Sequence, residues 1–255
     1  MRVGLVGCGA VAAFHVPALH AARGVKLAAA FDPDRAAAER TGARVAGSLD
    51  ELIELVDFVA VCTPPAHHAD AAIAALDAGR GVLVEKPLAT TLADADRIVA
   101  AGEGATGFQL RCHRRVPAVA SEIGGVWGGA GVAPVGVLLD RAIHHVDLWR
   151  ALLRDEVVST HMNGSRLEAV MRGGARPFVD LIEDGPPRNE LVVDGRRIDL
   201  YAMGGWRDRL RHPGEVVRGG PYRSAFIAQW EAIASGAPPA TLEDGRRALA
   251  VVLGA

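Results

Sequence analysis

The sequence predicts an α/β fold in two parts: an amino-terminal doubly wound parallel sheet, and a smaller carboxy-terminal α+β domain with a mostly antiparallel sheet. Short apolar runs alternate with helical patterns over the first hundred residues, a glycine turn follows the first run, and strand-like runs fill 157–203. Strands that alternate with helices across short connections are typical of a parallel sheet. We expect the domains to be 1–112 and 113–255.

Each apolar run of the first domain is followed by a helical pattern. Ser48 and Thr91 each stand three residues before an acid, which is the capping-box pattern that begins a helix. The expected strands are VGLVG at 3–7, KLAAAF at 26–31, DFVAVC at 57–62 and GVLVE at 81–85.

In the second domain, residues 124–136 include six glycines, and we interpret this segment as a loop, a hinge or an irregular edge. An amphipathic helix is expected at 140–153, and a closing helix in FIAQWEAIAS. The strand-like runs between them are VVSTHM, RPFVDLIED, NELVVDG and RIDLYAM. GPPRN and DGRR, which separate some of these runs, have the composition of hairpin connections. We therefore expect a helix packed on a small sheet.

The composition narrows the classes of partner. The chain has 255 residues, of which 50% are hydrophobic and 23% charged, as in ordinary globular proteins. A formal net charge of −2 gives no general attraction for nucleic acid or for an anionic membrane. No apolar run reaches membrane-spanning length. We expect a small-molecule substrate, and neither nucleic acid nor membrane as a partner.

The cysteines favour a reducing compartment. Cys8, Cys62 and Cys112 are isolated from one another, which argues against a disulfide framework and against a structural zinc site. The nine histidines show no ligand spacing with matching carboxylates, so no metal is expected. A strand begins almost at the first residue and leaves no room for a signal peptide. We predict a cytoplasmic protein.

The first strand runs into a G-x-G-x-x-A turn that opens a helix. Gly7 allows the tight turn, and Gly9 lets the backbone approach a pyrophosphate. Ala10 and Val11 begin the helix, whose unpaired N–H groups and dipole favour phosphate. The motif alone is weak, because an ordinary glycine turn has the same composition, but here it lies between a strand and a helix at the expected place.

Asp32 ends the second strand, twenty-three residues beyond Gly9. A carboxylate there accepts hydrogen bonds from an adenosine ribose and repels a 2′-phosphate. The alternative is that Asp32 only caps the following helix, and the two roles are compatible. We therefore favour NAD as the cofactor, while Arg35 keeps NADP open.

The segment after the third long strand, Cys62-Thr63-Pro64-Pro65-Ala66-His67-His68, stands where a doubly wound sheet binds its cofactor. Thr63 is expected to donate to the dinucleotide, and Pro64 to hold the loop rigid. His68 is a candidate ligand contact, although histidines facing solvent at a helix start are about as common.

Four motifs, GCGAVAAFHVPAL, TPPAHH, AGRGVLVEKPLATT and LLDRAIHHVDLWRALL, appear in one order. Together they resemble the glucose–fructose oxidoreductase / inositol dehydrogenase / MocA family, almost continuously to residue 112. The resemblance implies a Rossmann domain that binds NAD or NADP, and a substrate domain. It further implies that Lys86 of Glu-Lys-Pro is catalytic, that Glu85 and Lys86 line the cofactor, and that the Lys86–Pro87 bond is often cis.

Asp140, His144 and Asp147 stand at i, i+4 and i+7, so a helix places them along one face. A carboxylate one turn from an imidazole fixes its tautomer, although Asp140 is also a natural N-cap. We expect His144 to accept a hydroxyl proton, Asp140 to orient it and Lys86 to polarise the oxygen. Arg111 falls where the family often has a site-lining arginine, which implies a substrate contact.

The chain also departs from the family. It is short in the substrate half, and Ala142 and Gln109 replace a family glycine and asparagine. The second sheet often forms the family's oligomer interface, so the resemblance implies a homodimer through 157–203. The leading hypothesis is an oxidoreductase acting on a sugar, a cyclitol or a related alcohol or ketone. The alternatives are a redox-neutral lyase or epimerase with retained NAD, and a non-catalytic dinucleotide-binding module.

Overall fold

The computed structural model describes residues 1–128, 139, 142–182, 185–202, 206–212, 214–215 and 220–254, of which 206–208 are described by backbone alone. The chain forms two compact units. The first comprises Met1–Gln109 and Phe226–Arg246, and the second Leu110–Ala225 and Arg247–Ala255. A segment near the carboxyl end therefore folds with the amino-terminal unit.

The first unit contains the expected doubly wound sheet. Its strands run in the order β3-β2-β1-β4-β5-β6, and each neighbouring pair is parallel. The central strands are buried on both faces, which explains why their sequences are almost continuously apolar. The strands are β1 (Arg2–Val6), β2 (Lys26–Phe31), β3 (Arg44–Val45), β4 (Phe58–Val61), β5 (Gly81–Val84) and β6 (Ala105–Thr106).

Two of the described helices begin where the sequence places their caps. The Ser48 hydroxyl accepts from the Glu51 N–H at 3.1 Å, and the Thr91 hydroxyl accepts from the Asp94 N–H at 3.1 Å. Among the described residues, no helix is both long and apolar enough to cross a membrane. The helices are α1 (Ala12–Ala21), α2 (Arg35–Glu39), α3 (Leu49–Leu55), α4 (His68–Asp77), α5 (Leu92–Ala101), α6 (Ile143–Leu153), α7 (Trp206–Arg211), α8 (Pro221–Ala234) and α9 (Leu242–Leu253).

The second unit contains a six-stranded sheet in the order β12-β11-β7-β10-β9-β8. Only the β7–β10 pair is parallel among these neighbours, so the mostly antiparallel character is confirmed. Every second residue of β9 and β11 is buried, which marks one covered face. The strands are β7 (Ile123–Gly128), β8 (Val157–Asn163), β9 (Arg166–Met171), β10 (Phe178–Ile182), β11 (Arg188–Val193) and β12 (Arg196–Asp199).

The expected loop at 124–136 is wrong over its first five residues, because β7 lies there in the middle of the second sheet. Its glycines make room for neighbours. A Cβ on Gly124 would meet the Phe178 ring, and one on Gly125 would meet the His145 ring and lie 2.7 Å from the Glu190 carbonyl oxygen. The remaining residues of that expected loop lie outside the described part of the chain.

The two expected hairpins have different outcomes. DGRR joins β11 to β12, which pair directly, and Asp194 and Gly195 have φ values of 47° and 76°. Positive φ at both central residues is what a tight two-residue hairpin turn requires. GPPRN is not a hairpin connection, because β7 lies between the two strands that it joins.

His145 of α6 is packed on the covered face of the second sheet. Its ring is fully buried and contacts Trp127 edge-on at 5.7 Å between centroids, and within the described part of the chain neither nitrogen has a hydrogen-bond partner. Burial lowers the pKa of His145 to about 3. The unfolded chain keeps the ordinary imidazole value of about 6.5. Below about pH 6.5 the unfolded state therefore binds a proton that the folded state does not, and stability falls as the pH drops towards 3.

We expect His145→Gln to reduce this acid sensitivity. Between pH 7 and pH 4.5 the wild-type free energy of unfolding should fall by about 2 kcal/mol more than that of the variant. Urea unfolding at the two pH values measures the difference. His161→Gln, at an exposed histidine of β8, is the matched control and should keep the wild-type pH dependence. Equal pH dependence in wild type and His145→Gln would contradict the assignment.

Candidate functional site

Two glycines stand in the turn after β1, and a different structural feature explains each of them. Gly7 has φ of 85°, and a Cβ there would lie 2.5 Å from the Thr63 backbone nitrogen. Apart from the chain neighbours of Gly9, no heavy atom of the described residues lies within 4 Å of the place where a Cβ on Gly9 would stand. The fold therefore needs a glycine at position 7, whereas at position 9 the missing side chain leaves space beside the backbone.

Helix α1 begins directly after this turn and has no side chain to cap it. The N-cap residue Val11 makes no side-chain capping bond, and the N–H groups of Ala12 and Ala13 bond back to the carbonyls of Gly9 and Ala10. A helix start without a capping side chain beside an open glycine is suited to bind a phosphate group. The expected pyrophosphate position at Gly9, Ala10 and Val11 is consistent with this geometry.

Asp32 holds the turn from the end of β2. One carboxylate oxygen accepts the Cys8 N–H at 2.7 Å, and the other accepts the Asp34 N–H at 2.8 Å. Each oxygen retains a second lone pair for a ribose hydroxyl. Burial, followed by the charge of Asp32, raises the pKa of Cys8 to about 11, so Cys8 is a neutral thiol at this turn.

Arg35, because of which NADP was retained as an alternative cofactor, forms an ion pair with a residue of its own helix. Its Nε donates to Glu39 at 3.0 Å, and its side chain is 74% exposed. An exposed pair of this kind is weak and its partner is easily exchanged. The sequence preference for NAD over NADP therefore depends on Asp32.

Thr63 and Pro64 follow β4 at the same edge of the sheet. The Thr63 Oγ1 is buried and has no hydrogen-bond partner among the described residues. A buried hydroxyl without a partner costs free energy, so such groups in native proteins commonly mark a place where a ligand or water completes the bond. Pro64 is exposed in an extended conformation, with φ of −56° and ψ of 144°.

His68, expected to contact a ligand, is buried at the start of α4. Its Nε2 lies 2.8 Å from the Thr63 carbonyl oxygen, and its Nδ1 lies 3.0 Å from that of Pro87. Burial is the main cause that lowers its pKa, so the ring is neutral and one of these contacts at a time is an N–H bond. The ring thereby joins the loop after β4 to the loop after β5.

Glu85, at the end of β5, is a buried carboxylate with two donors. Its Oε1 lies 2.8 Å from His15 Nε2, and its Oε2 accepts the Lys86 N–H at 3.1 Å. Burial raises the pKa of Glu85, but the hydrogen bond from His15 and the nearby Lys86 outweigh it and leave the pKa below its usual range. Glu85 is therefore ionised inside the first unit.

Lys86 follows Glu85 and is half-buried. Its peptide bond to Pro87 is cis, as the resemblance implies. The carboxylate of Glu85 holds the Lys86 backbone, and Pro87 is itself bonded to His68 through its carbonyl. Lys86 is thus fixed on both sides by buried groups.

The candidate residues of the second unit lie on or against α6. His144 is 2% exposed and stacks on Trp127 with 4.9 Å between ring centroids. Arg111 makes a bidentate bond with Asp147, at 2.9 Å from Nε to Oδ2 and 2.6 Å from Nη2 to Oδ1. Asp147 therefore anchors Arg111. Asp140, the expected partner of His144, lies outside the described residues.

Sequence reasoning missed two buried residues of the first unit, His15 and Trp230. Trp230 Nε1 donates to His15 Nδ1 at 3.1 Å, and His15 contacts Glu85. His15 stands within the quoted GCGAVAAFHVPAL motif, so a histidine on the buried face of α1 was the available signal. Nothing local in the sequence indicates that Trp230 reaches it.

The first unit gathers its candidate residues at one edge of the parallel sheet, the carboxyl ends of β1, β2, β4 and β5. In an open α/β sheet this edge is where ligands bind. The open space at Gly9, the carboxylate of Asp32 and the partnerless Thr63 hydroxyl fit a dinucleotide. Within the described ranges, no three His, Cys, Asp or Glu side chains gather as a metal site would require.

This edge and this sheet define a Rossmann-type dinucleotide-binding unit, and comparison with known proteins agrees. The oxidoreductase family with an NAD-binding Rossmann fold matches residues 1–107, which confirms NAD as the cofactor of the family domain. Inositol 2-dehydrogenase 2 of Saccharopolyspora erythraea is 31% identical over 246 residues, covering 85% of this chain and 70% of that protein. The chain belongs to the glucose–fructose oxidoreductase / inositol dehydrogenase / MocA family.

Two further comparisons bear on length and fold. Inositol 2-dehydrogenase of Cereibacter sphaeroides is 30% identical over 229 residues, covering 78% of this chain. The chain spans 66% of the length of that relative. A probable dehydrogenase from Thermotoga maritima has the same fold, with a TM-score of 0.80 and 22% identity over 99% of this chain and 95% of that one.

We expect Gly9→Ala to weaken cofactor binding without weakening the fold. The added methyl meets no protein atom within 4 Å, but it occupies the space that a pyrophosphate would approach. NADH affinity measured by calorimetry should fall about tenfold or more, a loss of about 1.4 kcal/mol. The melting temperature should stay that of the wild type.

Gly7→Ala is the matched control and should show the opposite pattern. Its backbone has φ of 85°, and its Cβ would lie 2.5 Å from a backbone nitrogen, so the variant should lose about 1–3 kcal/mol of stability. Wild-type NADH affinity in a folded Gly9→Ala variant would contradict the placement of the pyrophosphate.

Proposed function

We propose that this chain is an NAD-dependent dehydrogenase that interconverts a secondary alcohol and a ketone of a cyclitol, a sugar or a related small molecule. The observation that carries the proposal is that Lys86 is fixed by the buried Glu85 at the same sheet edge as the open Gly9 turn. The relatives named inositol 2-dehydrogenase support a cyclitol as the first substrate to test.

Several groups of the first unit would hold the cofactor. The start of α1, at Gly9, Ala10 and Val11, would bind the pyrophosphate, and Asp32 would accept from the adenosine ribose. Thr63 would donate its unpartnered hydroxyl. When bound, the nicotinamide supplies the acceptor or donor of hydride.

We assign the proton transfer, and the stabilisation of charge on the reacting oxygen, to Lys86, His144 and Asp140. The ammonium of Lys86 would donate to the reacting oxygen and stabilise negative charge that develops on it. His144 would accept the hydroxyl proton during oxidation and return it during reduction. Asp140 would orient the imidazole. Arg111, anchored by Asp147, would contact substrate oxygens.

Two parts of the proposal concern the whole protein. A homodimer through the second sheet and a cytoplasmic location stay predictions. Measuring the molecular mass of the purified chain in solution tests the homodimer.

NAD is the preferred cofactor, and NADP stays an alternative because the preference depends on Asp32 alone.

We expect Lys86→Ala and His144→Ala each to remove most turnover and to spare cofactor binding. An acid–base group typically contributes about 10²–10⁴-fold, so kcat should fall by that range. The assay is NADH formation from NAD⁺ with myo-inositol, followed by a panel of sugars, and NADH affinity should change less than about threefold, under 0.7 kcal/mol.

The chain offers matched controls for both substitutions. Lys26, the other lysine, is exposed at the amino-terminal end of β2, and His161 is exposed on β8. Lys26→Ala and His161→Ala should keep wild-type turnover. Unchanged turnover in Lys86→Ala and in His144→Ala would overturn the assignment of the acid–base groups.

A further inference from the structure

Three buried side chains of the first unit form a continuous hydrogen-bond chain that ends at Lys86. Trp230 Nε1 donates to His15 Nδ1 at 3.1 Å, and His15 Nε2 lies 2.8 Å from Glu85 Oε1. The other oxygen of Glu85 accepts the Lys86 N–H at 3.1 Å. Trp230 and His15 are fully buried and Glu85 is 5% exposed, so water does not compete for these bonds.

The chemistry of the indole fixes which group donates and which accepts in each of these hydrogen bonds. An indole N–H only donates, so His15 Nδ1 must accept and the imidazole proton must be on Nε2. That proton then points at Glu85, which as a carboxylate only accepts. A proton on Nδ1 would face the indole N–H, leaving two donors in contact. Each bond therefore requires the next one in the same direction.

We infer that Trp230 and His15 are positioning residues for Lys86, acting through Glu85. The one-way chain keeps the carboxylate oriented, so that one oxygen is occupied by His15 and the other holds the Lys86 backbone. The strand end then holds the Lys86 backbone in one conformation beside an ionised carboxylate. The link to turnover rests on the proposed function, whereas the hydrogen-bond chain itself does not.

The surroundings of Glu85 leave His15 as its principal side-chain donor. Cys62, from β4, is a neutral thiol because burial, followed by the charge of Glu85, raises its pKa well above the ordinary value. His68, from α4, is neutral and donates its single N–H to one backbone carbonyl at a time. Helix α8 presents to His15 only the aromatic rings of Trp230 and Phe226 among the described contacts.

Trp230→Phe removes the indole N–H and keeps an aromatic ring of similar shape. Trp149→Phe is the matched control, because Trp149 is also fully buried but its Nε1 has no hydrogen-bond partner in the described ranges. Two readouts do not depend on activity: the His15 tautomer from nitrogen NMR, and the exchange rate of the Lys86 amide proton. The third readout is kcat and KM with NAD⁺ and myo-inositol.

We expect wild type and Trp149→Phe to hold His15 as the Nε2–H tautomer and to protect the Lys86 amide. Trp230→Phe should keep the Nε2–H tautomer, because the Glu85 carboxylate still requires that donor, but it should exchange the Lys86 amide about tenfold faster and lower kcat several-fold with KM for NAD⁺ within about twofold. His15→Leu should lower kcat about tenfold or more, and His15→Gln, whose amide can donate to Glu85, should restore part of it.

An Nδ1–H tautomer in the wild type would overturn the inference, as would a Trp230→Phe variant whose Lys86 amide exchanges as in Trp149→Phe. Failure of the proposed function looks different. Wild-type chain that binds no NADH and oxidises no cyclitol or sugar, yet shows the expected tautomer and amide protection, would refute the dehydrogenase and leave the positioning chain supported.

Discussion

The site of the first unit depends on one carboxylate, Glu85, that stays ionised where water cannot reach it. A buried charge is costly unless donors replace its hydration, and here His15 and the Lys86 backbone do so. Gly107 is required for the same reason, because a Cβ there would meet the Glu85 carboxylate. The strand end, the lysine that follows it and the helix carrying His15 are therefore fixed by one electrostatic requirement.

Much of this edge could be predicted from the sequence, because its signals are local. A tight turn needs a glycine at position 7, and an acid that ends β2 stands beside that turn in a parallel sheet. The alternation of strands and helices gave the first sheet, and Ser48 and Thr91 marked two helix starts. Each inference needed only a few neighbouring residues and the period of the apolar pattern.

What the sequence did not reveal depends on residues far apart in the chain. His15 and Trp230 are 215 positions apart, so only the fold brings their nitrogens together. From the sequence alone, the glycines of β7 indicate a loop, a hinge or an irregular edge, because glycine disfavours strands, but Phe178 and His145 pack where their side chains would be. Composition alone does not distinguish a flexible glycine from one that admits a close neighbour.

The most direct test of the account is a calorimetric titration of the purified chain with NADH and with NADPH. We expect saturable NADH binding at one site per chain, weaker NADPH binding because Asp32 opposes a 2′-phosphate, and a smaller preference for NADH in Asp32→Asn. A folded chain that binds neither dinucleotide would contradict it, because the open turn at Gly9 and the unpartnered Thr63 hydroxyl would then have no ligand to explain them.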